Sequence, residues 1–98
     1  MENLLVNERE LLEIGKKYKV TFLGVFGSYA REDSTSRSDI DILVRFAERK
    51  SLLDIVRIER EWSEILGTRV DLLTEKSISP YLRDRIRKEL KVIYDEEG

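Results

Sequence analysis

Ninety-eight residues, 41% of them hydrophobic, suffice for a single domain with one core and leave little chain for a second substrate-binding module. Lysine plus arginine (18) almost balances aspartate plus glutamate (20), which excludes the strongly basic surface that grips nucleic acid, so no stable nucleic-acid partner is expected. Cysteine and histidine are both absent, so chemistry must come from carboxylates, hydroxyls, basic side chains or bound metal.

In chain order, Asn7 reads as the N-cap of a first helix, with Glu10 at the capping-box position and Leu11, Leu12 and Ile14 within it. Val20 to Phe26, rich in β-branched and aromatic residues, predicts a buried strand. Gly27-Ser28 breaks it, Ser28 to about Glu32 reads as the start of a short helix, and Asp33 to Ser38 as a polar loop. Ser38 to Phe46 predicts a second strand with Ile40, Ile42, Val44 and Phe46 on one face and Asp39 and Asp41 on the other. Ser51 and Asp54 open a long helix whose expected buried stripe is Leu52, Ile55, Ile58, Trp62, Ile65 and Leu66, ended by Gly67. Arg69 to Thr74 predicts a third strand. Ser79 caps a last helix with Pro80 at its first position and Leu82, Ile86 and Leu90 facing inward, and Val92-Ile93-Tyr94 adds a short edge strand. Arg83, Arg85, Arg87, Lys88 and Lys91 make that helix basic. Interleaved with Asp84 and Glu89 it reads as a solvated face, with a surface for an acidic partner as the alternative. Alternation of helix and strand by itself suggests a parallel α/β sheet.

Two features carry chemistry. Gly27 at a strand-to-helix turn allows close backbone approach to a ligand, and the next helical turn offers unpaired N–H groups to a phosphate. Ser28 adds a hydroxyl, and Arg31, one turn on, a bidentate fork for the same anion. Asp39 and Asp41 project from one strand face ~7 Å apart along it. An apolar strand gains no stability from two such carboxylates, whereas magnesium relieves their repulsion and shares oxygen ligands with substrate phosphates. Two ions ~4 Å apart could stabilise the attacking and leaving oxygens of a phosphoryl displacement. Asp71 is a third carboxylate inside the apolar run Val70-Asp71-Leu72-Leu73, and converges with the others if its strand lies beside theirs.

The segment Leu23-Gly24-Val25-Phe26-Gly27-Ser28-Tyr29-Ala30-Arg31, followed by Ser38-Asp39-Ile40-Asp41-Ile42-Leu43-Val44, resembles the DNA polymerase β-type nucleotidyltransferase superfamily. More narrowly, nearly the whole chain is similar to the minimal nucleotidyltransferases (MNT), antitoxins of HEPN/MNT toxin–antitoxin pairs. The resemblance implies an α+β fold, a small mixed sheet with helices packed mainly on one face and the aspartate face left open as a cleft. It implies transfer of a nucleoside monophosphate, AMP from ATP, to a hydroxyl of a HEPN toxin. Asp39, Asp41 and Asp71 would be catalytic and hold two Mg²⁺ ions, for which Mn²⁺ substitutes, and Gly27, Ser28 and Arg31 would bind the nucleotide. A homo- or hetero-oligomer is expected, because a partner or second copy must complete the acceptor site. One departure is Glu32, where the family usually has glycine. Two other readings stay open: an antitoxin that acts by contact with weak or no turnover, and a subunit of a small-molecule nucleotidyltransferase. No apolar run approaches the ~20 residues of a membrane span, and Met1-Glu2-Asn3 lacks a signal-peptide start, so a cytoplasmic location without membrane partners is expected.

Overall fold

Burial alternates along the central strands, and that alternation defines two unlike sheet faces. The structure, a computed structural model, describes residues 8–27 and 40–96. Four strands, β1 (Val20–Phe26), β2 (Ile40–Phe46), β3 (Val70–Thr74) and β4 (Lys91–Asp95), form one sheet in the order β3-β2-β1-β4. β1 runs antiparallel to β2 and to β4, while β2 and β3 are parallel. The sheet is therefore mixed, not the parallel sheet that alternation alone suggests. Three helices, α1 (Glu8–Lys17), α2 (Leu52–Leu66) and α3 (Pro80–Glu89), complete the described elements with a 3₁₀ turn at Glu75–Ser77.

One face carries the main core. Leu23, Val25, Ile40, Ile42, Val44, Val70 and Leu72 pack there with Leu11 and Ile14 of α1 and Ile58 and Trp62 of α2. Trp62 is fully buried, and Tyr18 meets it edge-on with ring centroids 5.6 Å apart. The opposite face carries Phe22, Phe26 and Leu43, packed with Ile78 and with Ile86 of α3. Two helices thus cover one face, and α3 covers part of the other. Gly24 lies on the α3 side, where a Cβ would meet Leu90 Cδ1 at 2.8 Å, so the missing side chain lets Leu90 approach the sheet.

Local chemistry fixes the helix ends. Ser51 Oγ accepts from the Asp54 N–H and the Asp54 carboxylate accepts from the Ser51 N–H, a reciprocal cap that starts α2. Gly67 ends it with a left-handed φ of 72°. Ser79 caps α3 through the Leu82 N–H, with Pro80 in its first turn. Three positions assigned to buried stripes are instead exposed: Leu52 (78%), Ile65 (50%) and Leu82 (47%). Leu52 and Leu82 lie in the first turns of α2 and α3, and Ile65 sits off the centre of the stripe formed by Ile58 and Trp62. The proposed Asn7 cap and the turn, short helix and polar loop at 28–39 lie outside the described residues.

Candidate active site

β2 and β3 are parallel and in register, so residues with the same pairing position present side chains to the same face. Asp41 pairs with Asp71, just as Ile40 pairs with Val70 and Leu43 with Leu73. Ile40 and Val70 enter the main core, which turns Asp41 and Asp71 to the face that α3 only partly covers. Neighbouring strands lie about 4.8 Å apart, so the two carboxylates stand side by side on adjacent backbones. Both residues are half-buried. The Asp71 carboxylate has no hydrogen-bond or ion-pair partner among the described residues. Two partly desolvated anions held this way repel, and the arrangement suits a cation with hard oxygen ligands.

Gly27 completes the described part of the site. It follows Phe26, the β1 partner of Asp41, and adopts a φ of 79°. A Cβ at this position would overlap Asp41 Oδ2. Glycine is thus required twice over, by the left-handed backbone and by the carboxylate lying against it. Asp39, Ser28, Arg31 and Glu32 lie outside the described residues. Among the described residues, no group of three carboxylates forms a metal cluster.

Two residues that the sequence reading left unassigned hold Asp71's strand in place. β3 is an edge strand, and the N–H groups of Val70 and Leu72, on either side of Asp71, have no further strand to pair with. Ser63 Oγ accepts from the Val70 N–H at 2.9 Å, and Glu59 Oε2 accepts from the Leu72 N–H at 2.8 Å. The Ser63 hydroxyl in turn donates to the Glu59 carbonyl. The signal available in sequence was a polar pair one helical turn apart, bordering the buried stripe of α2. At the other end of the same face, Arg45 donates to both carboxylate oxygens of Glu75, at 3.1 and 2.9 Å, and lies 5.6 Å over the Phe22 ring.

The sequence pattern of the family "Polymerase beta, Nucleotidyltransferase" matches residues 9–98. The chain belongs to that family. A Methanocaldococcus jannaschii chain named as a protein adenylyltransferase is 51% identical over 86 residues, covering 86% of this chain and 92% of that one. The protein adenylyltransferase MntA of Thermococcus cleftensis is 34% identical over 90 residues, covering 92% and 89%. Among solved structures, a toxin–antitoxin complex with AMP-PNP contains a chain that superposes with a TM-score of 0.83 at 24% identity, covering 92% of this chain and 74% of that one. A Shewanella oneidensis complex of a tri-AMPylated HEPN toxin with an MNT antitoxin gives 0.73 at 22%, covering 92% and 71%. At these identities the structural likeness is one of fold. The mixed α+β architecture expected from the sequence is the architecture of these neighbours. Among the described residues no helix is long and apolar enough to cross a membrane.

Proposed function

We propose that this nucleotidyltransferase is a protein adenylyltransferase of the MNT type, moving AMP from ATP to a hydroxyl of a HEPN-family toxin and thereby neutralising it. The observation that carries the reading is the register pairing of Asp41 with Asp71, with the Gly27 backbone against the Asp41 carboxylate. The names of the curated relatives and the toxin–antitoxin complexes among the structural neighbours support the acceptor.

The paired carboxylates fit Mg²⁺, which takes oxygen ligands and bridges to phosphates. Asp39, Asp41 and Asp71 would hold two such ions, and Mn²⁺ would substitute. When bound, the metal would neutralise charge on the phosphates and on the leaving oxygen. The chain's own groups do the rest. Gly27 and the N–H groups after it lie against the triphosphate, the Ser28 hydroxyl donates to it, and Arg31 grips it as a fork. Asp71 orients the acceptor hydroxyl and takes its proton as the oxygen attacks the α-phosphorus. Pyrophosphate leaves. The domain acts in the cytoplasm, in a hetero-oligomer with its acceptor.

Incubation with α-labelled ATP, Mg²⁺ and a HEPN toxin tests the reading. Label should appear on the toxin, depend on the divalent ion, and vanish with Asp71→Asn. A toxin neutralised without any label transfer would replace this function by neutralisation through contact.

A further inference from the structure

Past the carboxylate pair, the sheet face runs on into a cleft of about 410 Å³ against α3. Phe22, Leu43, Ile86 and Leu90 form its apolar wall, and Arg83 and Arg87 line it from the helix. Leu43 follows Asp41 by two residues on the same strand, so the cleft opens about 7 Å along the face from that carboxylate. It leads toward Phe22 and away from Gly27, at opposite ends of β1.

The two arginines stand four residues apart on α3, on one side of the helix. Neither guanidinium has an ion-pair or hydrogen-bond partner among the described residues, whereas Arg85 between them pairs with Glu89 at 3.8 Å. Glu75, the acidic residue on the cleft wall, is held by Arg45 at 2.9 Å. The cleft thus presents two uncommitted guanidinium forks, whose geometry matches carboxylates, beside an apolar wall. In the proposed reaction the donor phosphates lie at Gly27, away from these forks. The anion that meets them therefore comes with the acceptor chain, whose own anions are Asp and Glu side chains.

We infer that this cleft selects the acceptor by the residues around its hydroxyl, taking a hydroxyl side chain set among acidic and apolar neighbours. The inference rests on the adenylyltransferase reading and names the substrate class of that same site. With the hydroxyl at Asp71, an extended segment rising ~3.3 Å per residue carries its near neighbours into the cleft. A Glu or Asp there meets Arg83 and Arg87, while an apolar side chain covers Leu43 and Ile86. A Lys or Arg at the same place is driven against two unpaired guanidinium groups, so the cleft rejects basic segments as well as attracting acidic ones. Arg83 and Arg87 determine specificity and take no part in the phosphoryl chemistry.

Three acetylated pentapeptide amides, Leu-Glu-Tyr-Glu-Leu, Leu-Gln-Tyr-Gln-Leu and Leu-Lys-Tyr-Lys-Leu, test this on the full chain. Their binding is measured by calorimetry without nucleotide, and label transfer from α-labelled ATP with Mg²⁺ gives kcat and KM. The wild type should bind the Glu peptide at least about tenfold more tightly than the Lys peptide, with the Gln peptide between them. Turnover should show the same order in KM with kcat little changed, as a contact made equally in ground and transition states requires. Arg83→Gln/Arg87→Gln should level the three peptides, and Arg83→Glu/Arg87→Glu should reverse their order. Both double variants should keep the wild-type melting temperature and affinity for Mg²⁺·AMP-PNP.

Equal or undetectable binding of the three peptides by the wild type overturns the inference, as does a preference that survives both double substitutions. A double variant that melts normally but loses AMP-PNP also overturns it, because the cleft then belongs to the donor. If label passes to all three peptides with one KM, the adenylyltransferase reading stands and this inference falls. If the wild type selects the Glu peptide through these arginines and no peptide takes up label, the cleft stands and the adenylyltransferase reading falls.

Discussion

Asp41 and Asp71 are register partners across the only parallel strand pair among the described strands, on the sheet face opposite the main core. They come from strands that are neighbours in space and thirty residues apart in sequence, joined through α2. Their shared orientation follows from pairing register alone. A slip of one residue would turn one carboxylate into the core and its apolar neighbour out.

Gly27 makes room for that pair, and Gly67 provides its control. Both adopt left-handed backbone, with φ of 79° and 72°, but a Cβ at Gly67 meets nothing within 4 Å. Gly67→Ala should cost roughly 1–2 kcal/mol of stability through backbone strain alone. Gly27→Ala should cost at least as much and also displace the Asp41 carboxylate, abolishing Mg²⁺-dependent nucleotide binding. Thermal melts and calorimetry on both variants separate the effects. Intact binding by Gly27→Ala would show that the Asp41 position is not critical.

Ser63 and Glu59 should matter to turnover without touching substrate. Ser63→Ala leaves the half-buried N–H of Val70 without its acceptor, at a cost of about 1–3 kcal/mol. Loosening the edge strand beside Asp71 should lower kcat more than it weakens ATP binding. Hydrogen exchange at Val70 and Leu72 should rise in parallel, and unchanged exchange would remove Ser63 from this role.

The fold was legible where pattern and chemistry agreed. The capping residues Ser51, Ser79 and Gly67 and the alternation of Ile40, Ile42 and Val44 mark the same elements in sequence and structure. Direction of pairing was not legible, because helix–strand alternation does not encode the antiparallel β1–β2 pair. The family resemblance implied a mixed sheet but not which strands pair antiparallel. Leu52 and Leu82 match the helical period and are still exposed, since first-turn residues project beyond the element that covers the rest of the stripe. Asp71 was recognisable as a charge in an apolar strand, but only the register shows that it faces Asp41. The Glu59 and Ser63 contacts depend on β3 lying at the sheet edge, a property of topology that no local pattern carries.

Tyr18 gives the fold a dependence on alkaline pH. Its hydroxyl donates to Glu61 at 2.7 Å, and that bond, then desolvation, then the Glu61 charge raise its pKa above the ordinary 10.0. A group whose pKa is higher folded than unfolded contributes stability that is complete below the unfolded value and lost as pH rises through the folded one. Stability measured by denaturant should therefore fall above pH 10.0 more steeply in the wild type than in Tyr18→Phe. Parallel curves for the two proteins would mean that the bond does not persist in solution.

Glu32 stands where the family usually has glycine, directly after Arg31. A carboxylate ~6 Å from a triphosphate oxygen opposes binding by roughly 3 kcal/mol at an effective dielectric of ~20, and by about 0.7 kcal/mol where bulk water screens it. Glu32→Gly should lower the apparent KM for ATP several-fold, and Glu32→Gln should recover much of that gain by removing charge alone. A KM that neither change moves would place the side chain away from the nucleotide.

The most direct test of the account is calorimetric titration of AMP-PNP into the wild type, Asp41→Asn and Asp71→Asn, each with and without Mg²⁺. Each substitution keeps the shape of the side chain and removes one charge from the register pair. The wild type should bind only with the metal present, and each variant should lose at least about tenfold in affinity, some 1.4 kcal/mol or more. Equal, metal-independent binding by all three proteins would contradict the assignment of Asp41 and Asp71 as the catalytic pair.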